Sequence, residues 1–275
     1  MSYATWLYPT SISQAFLPLF SRSLTLRATF SSFRPLSHHA RVFLPAKPPN
    51  SQFVGVLAMA KRSASFERED FASPADMYFE PPLKIVEYPD PRLRAKNKPI
   101  NTFDDNLKKL IDEMFNVMYK TDGIGISAPQ VGINIHLMVF NPTGERGEGE
   151  ELVFINPRVI KYSKNMTLFS EGCLSFPGIY ADVERPLSIK IDARDITGSK
   201  FTVNLSGLPS RVFQHEFDHL QGVLFFERMT EEVLERISAE LEALEKKYED
   251  GTGLPSPEKI GARKRRKVAV GFGRS

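Results

Sequence analysis

The placement of acidic residues limits which parts of this chain can fold. No Asp or Glu occurs before Glu67 and none after Glu258. Residues 1–66 carry Arg22, Arg27, Arg34, Arg41, Lys47, Lys61 and Arg62, a sum of +7, and residues 259–275 also sum to +7. Because the whole chain is +3, the body between these ends carries −11. Residues 1–66 are rich in Ser, Thr and Arg and are broken by Pro9, Pro18, Pro35, Pro45, Pro48 and Pro49. They read as an organelle transit peptide without a fold of its own. A secretory signal needs a basic start and an unbroken apolar run, and "MSYATWLYPTSISQAFLPLF" has neither, although "LAMA" at 57–60 resembles a cleavage site. No stretch approaches the roughly 20 apolar residues of a membrane span.

The remainder is long enough, and at 41% hydrophobic apolar enough, to bury a core. We expect a linker at 67–82, a folded domain at 83–250 and a basic tail at 251–275. "DDNLKKLIDEMFNVMYKTDG" spaces Leu107, Leu110, Ile111, Met114, Phe115 and Met118 as one helical face, with Gly123 beyond its end. "HLMVFN", "ELVFINPRVI", "LSIKIDA" and "KFTVNL" read as strands whose connections are too short for helical crossovers, so the sheet is expected to be largely antiparallel. "LPSRVFQHEFDHLQG" reads as a helix closed by Gly222. "TEEVLERISAELEALEKKYEDG" reads as one C-terminal helix capped by Thr230. Segregated helices and strands give an α+β class.

Three stretches carry chemistry. In "QHEFDHLQG", His215 and His219 lie one turn apart on the same helix face, so both imidazoles can reach one cation, with Glu216 beside them to handle a proton. The plainer reading is an amphipathic helix with Val212, Phe213, Phe217 and Leu220 inward, and a third ligand must decide. The extended zinc-peptidase motif would need a histidine at 225, which is Phe225. Glu240 is at a plausible distance but sits in an alternating Glu/Lys face. Cys173, the one cysteine, read as lying in the glycine-marked turn "EGCLSFPG", would complete a Cys/His/His set with a fourth position open for water. "GIGISAPQVG" satisfies a loose dinucleotide fingerprint, yet its glycines follow a helix and precede a strand, and Pro129 would interrupt a helix there. We read it instead as a loop where glycines admit a ligand close to the backbone and Pro129 presents the Gln130 amide as a donor.

Together "GIGISAPQVG", "EGCLSFPG" and "QHEFDHLQG", in that order, resemble the three signature motifs of peptide deformylases. "EGCLSFPGIY" and the N-terminal extension resemble the plant organellar 1B type, over roughly residues 80–250. The resemblance implies antiparallel sheets around a central HExxH-bearing helix. It implies a divalent metal, Fe(II) or Zn(II), on Cys173, His215 and His219, with Glu216 as general base and then acid. Gln130 and the Leu174 backbone N–H would form the oxyanion hole, and Ile124, Gly125 and Gly172 would pair with the substrate backbone as an added strand. The substrates would be N-formylmethionyl nascent polypeptides in the chloroplast, with the mitochondrion as a second destination, and the products formate and a free N-terminus. Where many bacterial members have a charged or amide residue and an arginine after the cysteine loop, this chain has Gly178 and Tyr180, which leaves peptide preference beyond methionine open.

Two other classes were weighed. A metalloendopeptidase would share the ligands and would be separated by its turnover of formylated against acetylated peptides. A non-enzymatic RNA-binding adaptor with a structural metal would need neither Glu216 nor Gln130. Arg263, Lys264, Arg265, Arg266 and Lys267 could dock the chain on an organellar ribosome through phosphate contacts, against the plainer reading of a solvated tail. Asp218 is expected to support the site rather than bind metal.

Overall fold

A computed structural model describes residues 70–261. The transit-peptide reading of 1–66 and the basic cluster 263–267 lie outside the described residues. Helix α1 (Asp105–Lys120) forms as its spacing predicts: Asp104 accepts from the amides of Asn106 and Leu107, and Leu107, Leu110, Ile111, Met114, Phe115, Val117 and Met118 are buried. The chain then enters β1 (Gly125–Ser127), a 3-10 turn at Ala128–Val131, and β2 (Leu137–Phe140). Strands β3 (Leu152–Tyr162), β4 (Met166–Cys173), β5 (Phe176–Pro186), β6 (Ser188–Arg194) and β7 (Lys200–Ser206) follow. Next come α2 (Leu208–Leu220), α3 (Glu231–Arg236) and α4 (Ser238–Thr252).

The sheets are antiparallel throughout. One has the order β1-β2-β3-β6-β7, and the other is the β4–β5 hairpin. Alternation along β6 turns Ile189, Ile191 and Ala193 inward, where they join Met138, Phe140 and Phe154 in a core with Val212 and Phe213 of α2. A second core surrounds α1, and a third gathers Tyr88, Phe176, Phe225, Phe226, α3 and α4. The class is α+β, as expected.

Three details differ from the sequence reading. "EGCLSFPG" is not a simple turn: Cys173 ends β4, and only Leu174 and Ser175 turn the hairpin, because Cys173 pairs with Phe176 while Gly172 pairs with Tyr180. The unmatched Pro177, Gly178 and Ile179 form an irregularity in β5, where Gly178 has φ +78°, and the Pro-Gly pair gave the stretch its turn-like appearance. The C-terminal helix is two helices. Ile237 leaves helical geometry at ψ 6° and Ser238 Oγ donates to the Glu235 carbonyl, so Val233, Leu234, Ile237 and Leu241 all face the core. Packed structure also begins before residue 83 and continues past 250: Ala72 and Met77 are buried, and Ile260 reaches the third core, its amide donating to Glu245. Among the described residues no helix is long and apolar enough to cross a membrane.

Candidate active site

Helix α2 differs from an ordinary amphipathic helix because it buries polar residues on its inner side: Ser210, Arg211, Gln214, His215, Glu216, Asp218 and His219. Gly207, at φ 65° and ψ −135°, admits the chain into it, and Gly222, at φ +66°, lets it leave. The one-turn spacing brings the two imidazole rings to 5.3 Å between centroids, and the end of β4 delivers Cys173 beside them. A ligand atom from each of Cys173, His215 and His219 lies within 4.8 Å of the others, and Cys173 Sγ is 3.3 Å from His219 Nε2. One sulfur and two imidazole nitrogens at this separation suit a divalent transition metal.

Glu171, two residues before the cysteine, was not singled out by sequence, yet it organises the cluster. Fully buried, it accepts from Arg185 Nε at 2.7 Å, Arg185 Nη2 at 3.0 Å and Arg211 Nη1 at 2.6 Å. Its other contact is His215 Nδ1 at 3.0 Å, which turns Nε2 of that ring toward Cys173. Burial works against the Glu171 charge, but His215 and Arg185 hold its carboxyl well below the usual range. Burial also pushes both histidines down. At His215 the Cys173 sulfur and Glu171 prevail and raise it well above its ordinary value; at His219 burial prevails and the ring stays neutral. A buried acid paired with distant arginines leaves no periodic trace, which is why the sequence did not disclose Glu171.

Asp218 faces away from the ligands, accepting from Arg185 Nη1 at 2.8 Å and Arg228 Nε at 3.0 Å. Phe225 lies with its ring 5.9 Å from that of His215 and walls the site with carbon. Glu240 is exposed on α4 and outside the ligand cluster.

Glu216 is buried, and its Oε2 has no hydrogen-bond partner. Burial raises its pKa to about 7, against the opposing effects of His215 and the Ser127 hydroxyl. Gln130 is held by Ser127, whose amide and hydroxyl donate to Gln130 Oε1 at 2.8 and 2.9 Å, so that Nε2 points to Cys173 Sγ at 3.6 Å. Ile124, Gly125, Gly172, Cys173, Leu174, Val212, His215 and Glu216 line one cavity of about 490 Å³, while Gln130 and His219 lie behind its wall. Side chains are excluded at both glycines: a Cβ on Gly125 would meet Glu216 Oε1 at 2.9 Å, and one on Gly172 would meet the Tyr180 ring at 2.7 Å. Seven of the nine candidate residues thus line one cavity, and Gln130 and His219 adjoin it through Cys173 Sγ.

Comparison with known proteins agrees with this geometry. The model of the polypeptide deformylase family matches residues 82–235. The chain is 57% identical over 280 residues to the chloroplastic peptide deformylase 1B of Solanum lycopersicum, covering 100% of this chain and 99% of that one. It is 58% identical over 264 residues to the chloroplastic/mitochondrial peptide deformylase 1B of Arabidopsis thaliana, covering 96% and 95%. Among solved structures, a plant peptide deformylase 1B superposes with a TM-score of 0.66 at 70% identity over 66% of this chain and 99% of that chain. The Plasmodium falciparum peptide deformylase does so at 0.60 and 45%, over 62% and 99%.

Proposed function

This chain belongs to the polypeptide deformylase family, and we propose that Cys173, His215 and His219 hold its catalytic metal while Glu216 moves the proton. The enzyme is a metal-dependent hydrolase that removes the N-formyl group from newly made polypeptides in the chloroplast. The convergence of one sulfur and two imidazoles within 4.8 Å, beside the cavity that Cys173, His215 and Glu216 line, carries the assignment of roles.

A bound divalent metal would supply Lewis-acid activation of water and of the formyl carbonyl. We favour Fe(II), with Zn(II) second; the Cys/His/His donor set accepts either. Glu216, poised near pH 7, takes a proton from the attacking water at Oε2, the atom without a partner, and passes it to the leaving amine. The Gln130 amide, its orientation fixed by Ser127, and the Leu174 backbone N–H donate to the oxyanion as the carbonyl becomes tetrahedral. Gly125 and Gly172, where side chains are excluded, together with Ile124, leave backbone on both walls for the peptide to pair with as an added strand. The HExxH-bearing helix is, on this reading, the centre of the fold, since its residues reach both sheets.

Residues 1–66 are read as the targeting segment that directs the folded domain to the chloroplast, with the mitochondrion as a second destination, and the linker narrows to the residues before Ala72, which is buried in the core. Residues 251–275 are read as a basic extension suited to ribosomal RNA. Replacing Glu216 with alanine should keep the metal bound and lower turnover of formyl-Met-Ala-Ser by at least ~10². Near wild-type turnover at full metal content would remove Glu216 from the mechanism.

A further inference from the structure

The outer face of the larger sheet has a charge pattern that folding does not call for. Burial alternates along β6 and β7, so Lys190, Asp192 and Arg194 share the solvent side with Lys200, Thr202 and Asn204. Register then sets like charges directly opposite each other: Lys161 faces Lys190 across β3 and β6, and Arg194 faces Lys200 across β6 and β7. Directly opposed like charges destabilise a sheet. Arg158 lies opposite Asp192, but the Asp192 carboxylate is taken by the Thr202 hydroxyl. Among the described residues Arg158, Lys161, Lys190 and Lys200 form no ion pair, although the body from residue 67 to 258 carries −11.

Beside this row lies a cleft of about 1060 Å³, lined by Phe103, Arg158, Asp192, Arg194, Lys200 and Phe217. The Arg194 guanidinium stands 6.0 Å from the Phe103 ring centroid, and Arg194 Nη1 donates to the Gly198 carbonyl at 2.7 Å. Helix α2 contributes to both cavities: Val212, His215 and Glu216 face the active site, whereas Phe217 and, just past the helix end, Gln221 face the cleft. A ligand in the cleft would leave the active site free.

We propose that the cationic face formed by Arg158, Lys161, Lys190, Arg194 and Lys200, with its aromatic cleft, binds single-stranded RNA. Unpaired cations set in a row match a phosphate backbone, and aromatic edges beside them offer surfaces to bases. A dinucleotide or free phosphate would need one converging pocket rather than cations spread along three strands. Strand-to-strand repulsion is relieved when a polyanion lies across the row.

The test is fluorescence anisotropy of a labelled oligouridylate of about 12 nucleotides, using the full chain. To separate the face from the tail, Arg263, Lys264, Arg265, Arg266 and Lys267 are changed to Gln in a parallel background. In that background RNA should still bind, and K161E/K200E should weaken binding by about tenfold and reduce the log–log salt slope by about 1.4, roughly 0.7 per lost contact. The same double reversal turns both like-charge pairs into opposite-charge pairs, so Tm should hold or rise while RNA affinity falls. A role confined to folding would move both together. Deformylation of formyl-Met-Ala-Ser should not change, and K161R/K200R should bind as the parent does. If the tail-neutralised parent does not bind RNA, or if K161E/K200E binds as tightly as its parent, the proposal is overturned.

Discussion

Helices α1 and α2 are similar in length and both lie against the larger sheet, yet opposite principles hold them. Helix α1 buries seven apolar side chains, from Leu107 to Met118, and keeps its charges in water. Helix α2 buries Arg211, His215, Glu216, Asp218 and His219 along with Val212, Phe213 and Leu220. The first is held by apolar burial, which is non-directional and tolerant. The second is held by Glu171, Arg185, Arg228 and the backbone carbonyls of Thr167 and Val183, which receive Arg211 at 2.6 and 3.0 Å. Such a network is directional, and losing one member leaves another buried charge unanswered. The contrast shows that the helix bearing the candidate site is positioned by charge from the β4–β5 hairpin, whose last residue in β4 is Cys173, the third of the proposed metal ligands.

The sharpest way to break this contrast is to remove one anchor from each helix. Glu171→Ala leaves buried Arg185 with Asp218 alone and buried Arg211 with neutral acceptors only, and should cost about 3–5 kcal/mol in urea unfolding. It should also weaken metal retention about 10- to 100-fold, because His215 loses its orienting partner. Leu110→Ala, in α1, should cost a comparable ~2–5 kcal/mol, yet leave metal content and turnover per folded molecule unchanged. Equal metal loss in the two variants would mean that positioning is not particular to the charged network.

A smaller effect follows from pH. Glu216 has its pKa raised from 4.5 to about 7, chiefly by burial, so between those values the folded chain holds a proton that the unfolded chain has released. Its contribution to stability is therefore greatest at low pH and declines as pH rises through 7. In chelator-treated protein Glu216→Gln removes that decline, so from pH 4.5 to 8 the variant should lose up to ~3 kcal/mol less than the parent. Parallel stability curves would show that Glu216 is not held in a desolvated position. The smallest change concerns how each helix begins. Asp104→Ala removes the side-chain cap of α1 and should cost about 1 kcal/mol, without altering activity. Helix α2 begins at Gly207 with no side-chain cap and has no such cap to lose.

Where residues act through local periodicity, the chain disclosed them. The face of α1, the four strands from "HLMVFN" to "KFTVNL" and the one-turn pairing of His215 with His219 are all set by what a neighbour two, three or four positions away must do. The break at Ile237 was hidden because Glu, Lys and Leu read as helix on either side of it, and only the core beneath requires Ile237 and Leu241 to face inward together. Strand β4 was hidden because Met166, Leu168 and Phe169 are all partly exposed, at 46%, 66% and 44%, and show no inward alternation.

What the sequence determined by itself was the acid-free ends, the α+β class, the three motifs and, through the resemblance of those motifs to the peptide deformylases, the reaction. Only the tertiary structure decided that Glu171 orients His215, that Arg185 joins Glu171 to Asp218, that the Gln130 amide meets Cys173, and that Lys161 meets Lys190. The physical reason is separation along the chain. Glu171 and His215 are 44 residues apart and Arg185 and Asp218 are 33 apart, and no local pattern constrains such pairs until sheet register and helix packing bring them within hydrogen-bonding distance.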